Sequence, residues 1–222
     1  MTTLLRRPGR HYPYVALGPE IYLDSFATIR READLSGVPE EAEKVAVRMI
    51  HASGQVDLAA DLVLHHDLGR AGREALAAGA PILTDARMVA MGITAGRLPA
   101  GNEVRCFLTD ERVPALAHDW GTTRSAAAVS LWEPHLEGAV VAIGNAPTAL
   151  FHLMEMLIDG APRPAAVVGC PVGFIGAAES KQALASLAAD HGIDVPFATV
   201  RGRRGGSAMA SAAVNALAQE AE

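Results

Sequence analysis

Residues 140–157 read V-V-A-I-G-N-A-P-T-A-L-F-H-L-M-E-M-L, and this stretch decides the fold. An apolar run, Val140–Ile143, stops at a Gly-Asn turn, and Pro147 opens a helical segment directly behind it. A strand feeding a helix in this way is half of a βαβ unit. A strand apolar on both faces belongs inside a parallel sheet covered by helices. The pattern recurs on either side. Candidate strands Pro81–Thr84, Val104–Leu108, Ala139–Ile143, Ala165–Gly169 and Phe197–Val200 alternate with helix-like stretches Thr122–Leu136, Pro147–Ile158, Ala177–Ala189 and Gly206–Gln219. The link through Met88–Arg97 is less regular. The pattern predicts a three-layer α/β/α fold with a mainly parallel, flavodoxin-like sheet of about five strands. Ligands of such sheets bind beyond the carboxyl ends of the strands, so the loops after Thr84, Ile143, Gly169 and Val200 are the ones to watch.

Upstream of Pro81 the pattern reads as helical, giving an N-terminal helical part over about residues 19–77 of one domain spanning 1–222. Pro19–Asp34 sets Tyr22, Phe26 and Ile29 along one side. Pro39–Ala52 begins with proline at N1 and acidic residues in its first turn, and Gly54 is placed to act as C′. Leu68–Ala77 is a third helix, weakened by two glycines.

The bulk numbers exclude several classes. In 222 residues, 50% are hydrophobic and 20% charged, which suits an ordered domain with a sizeable core. A net charge of −6 disfavours a general nucleic-acid or anionic-membrane partner but permits an anionic small ligand met by local basic loops. Cys106 and Cys170 lie far apart with no CxxC, and read as reduced, buried thiols. The start, MTTLLRRPGRHYPYV, lacks the apolar core of a signal peptide, and no apolar run reaches the roughly 18 residues of a membrane span. The expected compartment is the cytoplasm.

Five segments have chemical potential. On a helical wheel Ala42, Val45, Ala46, Met49 and Ile50 form the apolar stripe of their helix, and His51 falls outside it in the last turn. There it is either a capping cation favoured by the helix dipole or a general acid, and spacing does not decide between them. Asn145 reads as an N-cap, with backbone N–H groups behind it open to an anion or simply capped. Gly169, Gly173 and Gly176 lack the dinucleotide order but permit close approach of a bulky ligand, with Lys181 as a nearby or merely solvated charge. Arg201, Arg203 and Arg204 occupy a glycine-rich loop that suits carboxylates or is a solvated turn. Arg124 sits in the first turn of its helix, where a cation is unfavourable without an answering anion. The remaining histidines show no metal-ligand spacing and read as structural or solvated, so no metal site is expected.

Taken together, RMIHASG, DARMVAMGIT, RLPAGNEV, TRSAAA, AIGNAPTAL, PVGFIGAAESK and VRGRRGGSAM resemble the precorrin-8X methylmutase family, in that family's order, from about Ile21 to Leu217. The resemblance implies a cobalamin-pathway isomerase that moves a methyl group from C-11 to C-12 of precorrin-8X to give hydrogenobyrinate. It also implies a homodimer without cofactor, and a fold like the one inferred above. The family's active-site histidine corresponds to His51, and its substrate-contacting serine to Ser25 in the Tyr22–Phe26 stretch. Tyr22, Thr94 at the end of DARMVAMGIT, and Arg124 in TRSA join Lys181 and Arg201 as expected substrate contacts. One departure is Ser53, where the family often has cysteine; a small polar-tolerant residue is not expected to cost activity.

This chemistry needs no metal, nucleophile or redox group. A sigmatropic methyl shift needs a macrocycle held in shape and one proton, which His51 would supply, its helix end keeping it partly protonated. A carboxylate-edged substrate would account for loop arginines on an acidic protein. Three rivals remain: a non-catalytic corrinoid carrier, a cobalt-precorrin-8 methylmutase of the anaerobic route, and a generic flavodoxin-like flavin or nucleotide module. The last lacks any phosphate-loop motif.

Overall fold

The computed structural model describes Leu5 and residues 8–219. The ends of the domain expected over 1–222, including much of the basic stretch at residues 1–7, lie outside the described residues. All five expected strands are present, slightly trimmed: β2 (Ile82–Thr84), β3 (Val104–Arg105), β4 (Val140–Ile143), β5 (Ala166–Gly169) and β6 (Phe197–Val200). A sixth, β1 (Leu62–Leu64), was read as part of the N-terminal helical region. It pairs antiparallel with β6, Leu62 opposite Val200 and Leu64 opposite Ala198. Three half-buried residues on a sheet edge are too few to print a period-two pattern in sequence.

The sheet order is β1-β6-β5-β4-β2-β3, and every pair except β1–β6 is parallel. Counting only the parallel strands from the first, this is the 2-1-3-4-5 order of flavodoxin-like sheets, whose switch point lies between β2 and β4. Successive side chains of a strand point to opposite faces, and the two cores divide accordingly. Val140 and Ala142 of β4, with Ala166 and Val168 of β5, join the core under α1 (Gly18–Glu32), α2 (Glu43–Ser53), α3 (Leu68–Ala77), α4 (Arg87–Gly92) and α9 (Ser207–Leu217). Val141, Ile143 and Val167 join the opposite core under α6 (Arg124–Ser130), α7 (Pro147–Ile158) and α8 (Ala177–His191), which encloses Trp132. A short α5 (Val113–Asp119), unmarked in the sequence reading, packs against α6.

Two helix boundaries differ from expectation for local reasons. Pro39 precedes a 3-10 turn, Glu40–Ala42, so α2 starts at Glu43; its end at Gly54 is as expected, with φ 65° and the Gly54 N–H donating to the Ile50 carbonyl. The stretch read as one helix over Thr122–Leu136 is α6 followed by a 3-10 turn at Glu133–His135, where Pro134 cannot continue an α-helical ladder.

Candidate active site

His51 lies in the last turn of α2, on the side facing α1 and α9. Residues Tyr22, Ser25 and Phe26 lie three and four positions apart on α1, hence on one face, and all three reach His51. Ser25 Oγ lies 2.8 Å from His51 Nδ1. The Tyr22 and Phe26 rings sit 5.5 and 5.3 Å from the imidazole, Phe26 edge-on. The apolar stripe of α2 is buried as the wheel requires, and His51, off that stripe, is half-buried. What the wheel did not reveal is Arg48, 5% exposed, its guanidinium stacked 4.8 Å over Phe26 and 5.7 Å over Tyr22.

The pair α1–α2 forms one wall of a cavity of about 440 Å³. The opposite wall comes from elements that follow two of the expected loops. After β2 come Met88, Gly92, Thr94 and Arg97; after β6 come Ala208, Ser211, Ala212 and Asn215. Asn215 joins the two: its Oδ1 accepts from the Thr94 N–H at 2.8 Å, and its Nδ2 donates to the Gly92 carbonyl at 2.9 Å. Gly92 permits the close approach, because a Cβ there would lie 2.4 Å from Ser211 Oγ. Arg97 follows one turn later, its guanidinium 5.9 Å from the Tyr22 ring.

The electrostatics are one-sided. Arg48, His51 and Arg97 are the charged or titratable cations of the lining, and no carboxylate side chain lines it among the described residues. Burial, then the Arg48 charge, pushes the His51 pKa below its ordinary value. The helix end expected to keep His51 partly protonated is therefore opposed here: burial and a neighbouring guanidinium both favour the neutral ring. In the neutral ring one nitrogen carries the proton and the other accepts, and Nδ1 is the one engaged by Ser25.

Thus Tyr22, Ser25, His51 and Thr94 come together. Arg124, Lys181 and Arg201 do not join them. Arg124 is exposed on α6, with an Nη2–Leu108 carbonyl distance of 3.4 Å. Lys181 and Arg201 line a different cavity of about 620 Å³, between α8 and the β1–β6 edge. Lys181 is 1% exposed and donates to the Arg204 carbonyl; burial lowers its pKa. The loop arginines have partners within the chain: Arg204 with Asp57 (2.9 Å), Gln55 and Asp61, and Arg203 over the Phe174 ring at 5.2 Å. Spacing in the sequence does not mark Arg48, Arg97, Ser211 or Asn215 as site residues, although Arg48 and Arg97 open the strings RMIHASG and RLPAGNEV and the other two lie in the helix expected over Gly206–Gln219.

The turn at Asn145 is also arranged differently. Ala146, not Asn145, is the N-cap of α7, without a side-chain cap of its own. The N–H groups of Gly144, Asn145 and Ala146 instead donate to the buried Asp85 carboxylate at 3.0, 2.9 and 2.7 Å. The anion position at this switch point is filled by the chain itself. Burial pushes the Asp85 pKa up, and the three N–H donors oppose that.

Among the described residues His65, His66 and Asp67 bring potential ligand atoms within 4.8 Å of one another. His65 Nδ1, however, accepts from the Asp67 N–H at 3.2 Å, and Nε2 lies 3.1 Å from Asp194. Both ring nitrogens are thereby engaged within the protein, which makes a poor metal ligand. Among the described residues no helix is long and apolar enough to cross a membrane.

Residues 20–220 match the family model for precorrin-8X methylmutase (CbiC). A precorrin-8X methylmutase of Pseudomonas aeruginosa is 62% identical over 94% of this chain and 99% of its own. A cobalt-precorrin-8 methylmutase of Priestia megaterium is 36% identical, over 87% and 84%. Among solved structures, a precorrin-8x methyl mutase from Thermus thermophilus superposes with a TM-score of 0.80 at 40% identity, covering 90% of this chain and 95% of that one.

Proposed function

Because the chain belongs to the precorrin-8X methylmutase family, isomerases of cobalamin biosynthesis, we propose that its substrate is metal-free precorrin-8X and that His51 handles the proton of the methyl shift from C-11 to C-12. The observation that carries this reading is the lining of the His51 cavity: two arginines, one histidine and, among the described residues, no carboxylate, on a chain of net charge −6. Such a lining suits a ligand edged with carboxylates, which guanidinium groups bind well. Tyr22 and Thr94 would touch the macrocycle, and Ser25 would fix the imidazole from behind. With Nδ1 committed to Ser25, Nε2 is the nitrogen that exchanges a proton with the conjugated ring.

The balance of the reaction constrains the role. One C–C bond to the migrating methyl breaks, another forms, and the product hydrogenobyrinate is an isomer of the substrate. Any proton that His51 lends must be returned, so the imidazole acts first as acid and then as base. The similarity gradient, 62% to a precorrin-8X enzyme against 36% to a cobalt-precorrin-8 enzyme, favours the metal-free substrate.

Incubating the purified protein with precorrin-8X and following the absorbance change to hydrogenobyrinate tests this directly. Catalytic conversion is the expected outcome. Stoichiometric binding without conversion would leave a corrinoid carrier, and turnover only of the cobalt form would reverse the choice of substrate. We also propose that the protein works as a homodimer in the cytoplasm. Support for the dimer comes from apolar side chains left in the open near the carboxyl ends of the strands: Met88, Met91, Phe174 and Ile175 are 65–90% exposed. Light scattering should then give twice the 23.2 kDa chain mass; a monomer mass at micromolar concentration counts against it. Recovery of the activity only with membranes would count against the compartment.

A further inference from the structure

The arrangement of charge around His51 suggests more than a binding site. His51 is touched by Tyr22, Ser25 and Phe26 from α1, and shares its cavity with Arg48 of its own helix, Thr94 and Arg97 from the segment after α4, and Ser211 and Asn215 from α9. Of these only the two arginines carry a fixed charge, and both stack on Tyr22, at 5.7 and 5.9 Å. The ring they share lies 5.5 Å from the imidazole, so both guanidinium groups and His51 are gathered about one aromatic side chain.

We propose that Arg48 and Arg97 form a ligand-sensitive electrostatic gate on His51: in the empty cavity their charges oppose a proton on the imidazole, and a substrate carboxylate seated against them removes that opposition. This rests on the polycarboxylate reading above and deepens it. A protonated His51 would be the third cation in a partly desolvated cavity whose lining, among the described residues, holds no carboxylate, so adding that proton in the empty site works against two guanidinium groups. A polyanionic macrocycle reverses the sign of the local field. His51 then acquires its proton where there is a substrate to receive it, and the empty enzyme holds a neutral imidazole. Arg48 and Arg97 act here through His51, as positioning residues for charge rather than for shape. Arg48 is suited to the first role because it is buried and fixed over two rings. Arg97, half-exposed on a 3-10 turn, is suited to meeting the ligand first.

The test is an NMR titration of the isotope-labelled His51 ring in full-length protein, empty and with hydrogenobyrinate bound. At fixed near-neutral pH, product is expected to raise the ratio of charged to neutral imidazole about tenfold or more. Arg48→Gln should raise that ratio in the empty protein, whereas Arg48→Lys, which keeps the charge, should leave it close to wild type. Arg97→Gln, at a more exposed position, guards against a folding defect in the Arg48 variant and should shrink the rise caused by product. A merely structural arginine would alter stability or KM and leave the charge state of His51 where it was. The gate is overturned if His51 has the same charge state in wild type, Arg48→Gln and Arg97→Gln, or if bound product leaves it unchanged. Either result can coexist with full isomerase activity, so the gate fails separately from the function proposed above. A wild type that binds product and shows the charge response but never isomerises precorrin-8X supports the gate and sinks the catalytic assignment.

Discussion

Substituting His51 by alanine is expected to lower kcat for the methyl shift by about 10²–10⁴-fold, the usual contribution of a single general acid–base group. The fold should tolerate it. His51 lies off the apolar stripe of α2, is half-buried, and makes one side-chain hydrogen bond, to Ser25, worth ~1 kcal/mol. His51→Gln separates chemistry from shape: its amide can still meet Ser25 Oγ but has no titrating proton, so it should be as impaired as alanine. Ser25→Ala should cost less, because the imidazole stays and only its orientation loosens. The measurement is single-turnover conversion of precorrin-8X with thermal unfolding in parallel. Turnover of His51→Gln at the parental rate would end the proton-handling role, whatever the variant does to binding.

Why His51 was legible in the sequence and its setting was not has a physical basis. The five parallel strands, α7 and α3 could be read because each depends on neighbours in sequence: apolar runs, a proline at N1, turn residues. The stripe of α2 was legible for the same reason, and it placed His51 correctly off the core. Which residues face His51 depends on how α1 and α9 close over α2, a tertiary fact. Arg48 looks like a solvated helix arginine in sequence and becomes a buried one because aromatic rings of another helix cover it. The loop arginines failed in the opposite sense. Arg204 looked available to a ligand, but Asp57 and Asp61, some 140 residues earlier, already hold it. Of the residues that the likeness to a family names, His51, Ser25, Tyr22 and Thr94 are brought together by the fold, whereas Arg124 is not.

The same distinction between local and long-range partners makes Asp85 the most consequential residue outside the cavity. Asp85→Ala is expected to destabilise the protein by at least ~3 kcal/mol, since three backbone N–H groups lose their acceptor in a site 2% exposed, and each such loss costs about 1–3 kcal/mol. Asp85→Asn should cost less, about 1–3 kcal/mol, because the amide oxygen still accepts from part of the N–H cradle, although the NH2 cannot accept from the rest. The effect should extend to the substrate. Asp85 directly follows β2 and lies two residues before the start of α4, which delivers Met88 and Gly92 to the cavity and leads on to Thr94 and Arg97. A loosened start of α4 therefore raises KM more than it lowers kcat, the reverse of the His51 pattern. Denaturant midpoints and steady-state kinetics on the same preparations read both effects. The cradle also offers its own control. If the three N–H groups and the start of α7 form an anion site that Asp85 merely occupies, sulfate should stabilise Asp85→Ala by more than it stabilises the parent, the excess saturating as a bound ligand does. Equal stabilisation of both by sulfate would reduce the effect to general salt exclusion and Asp85 to a packing residue.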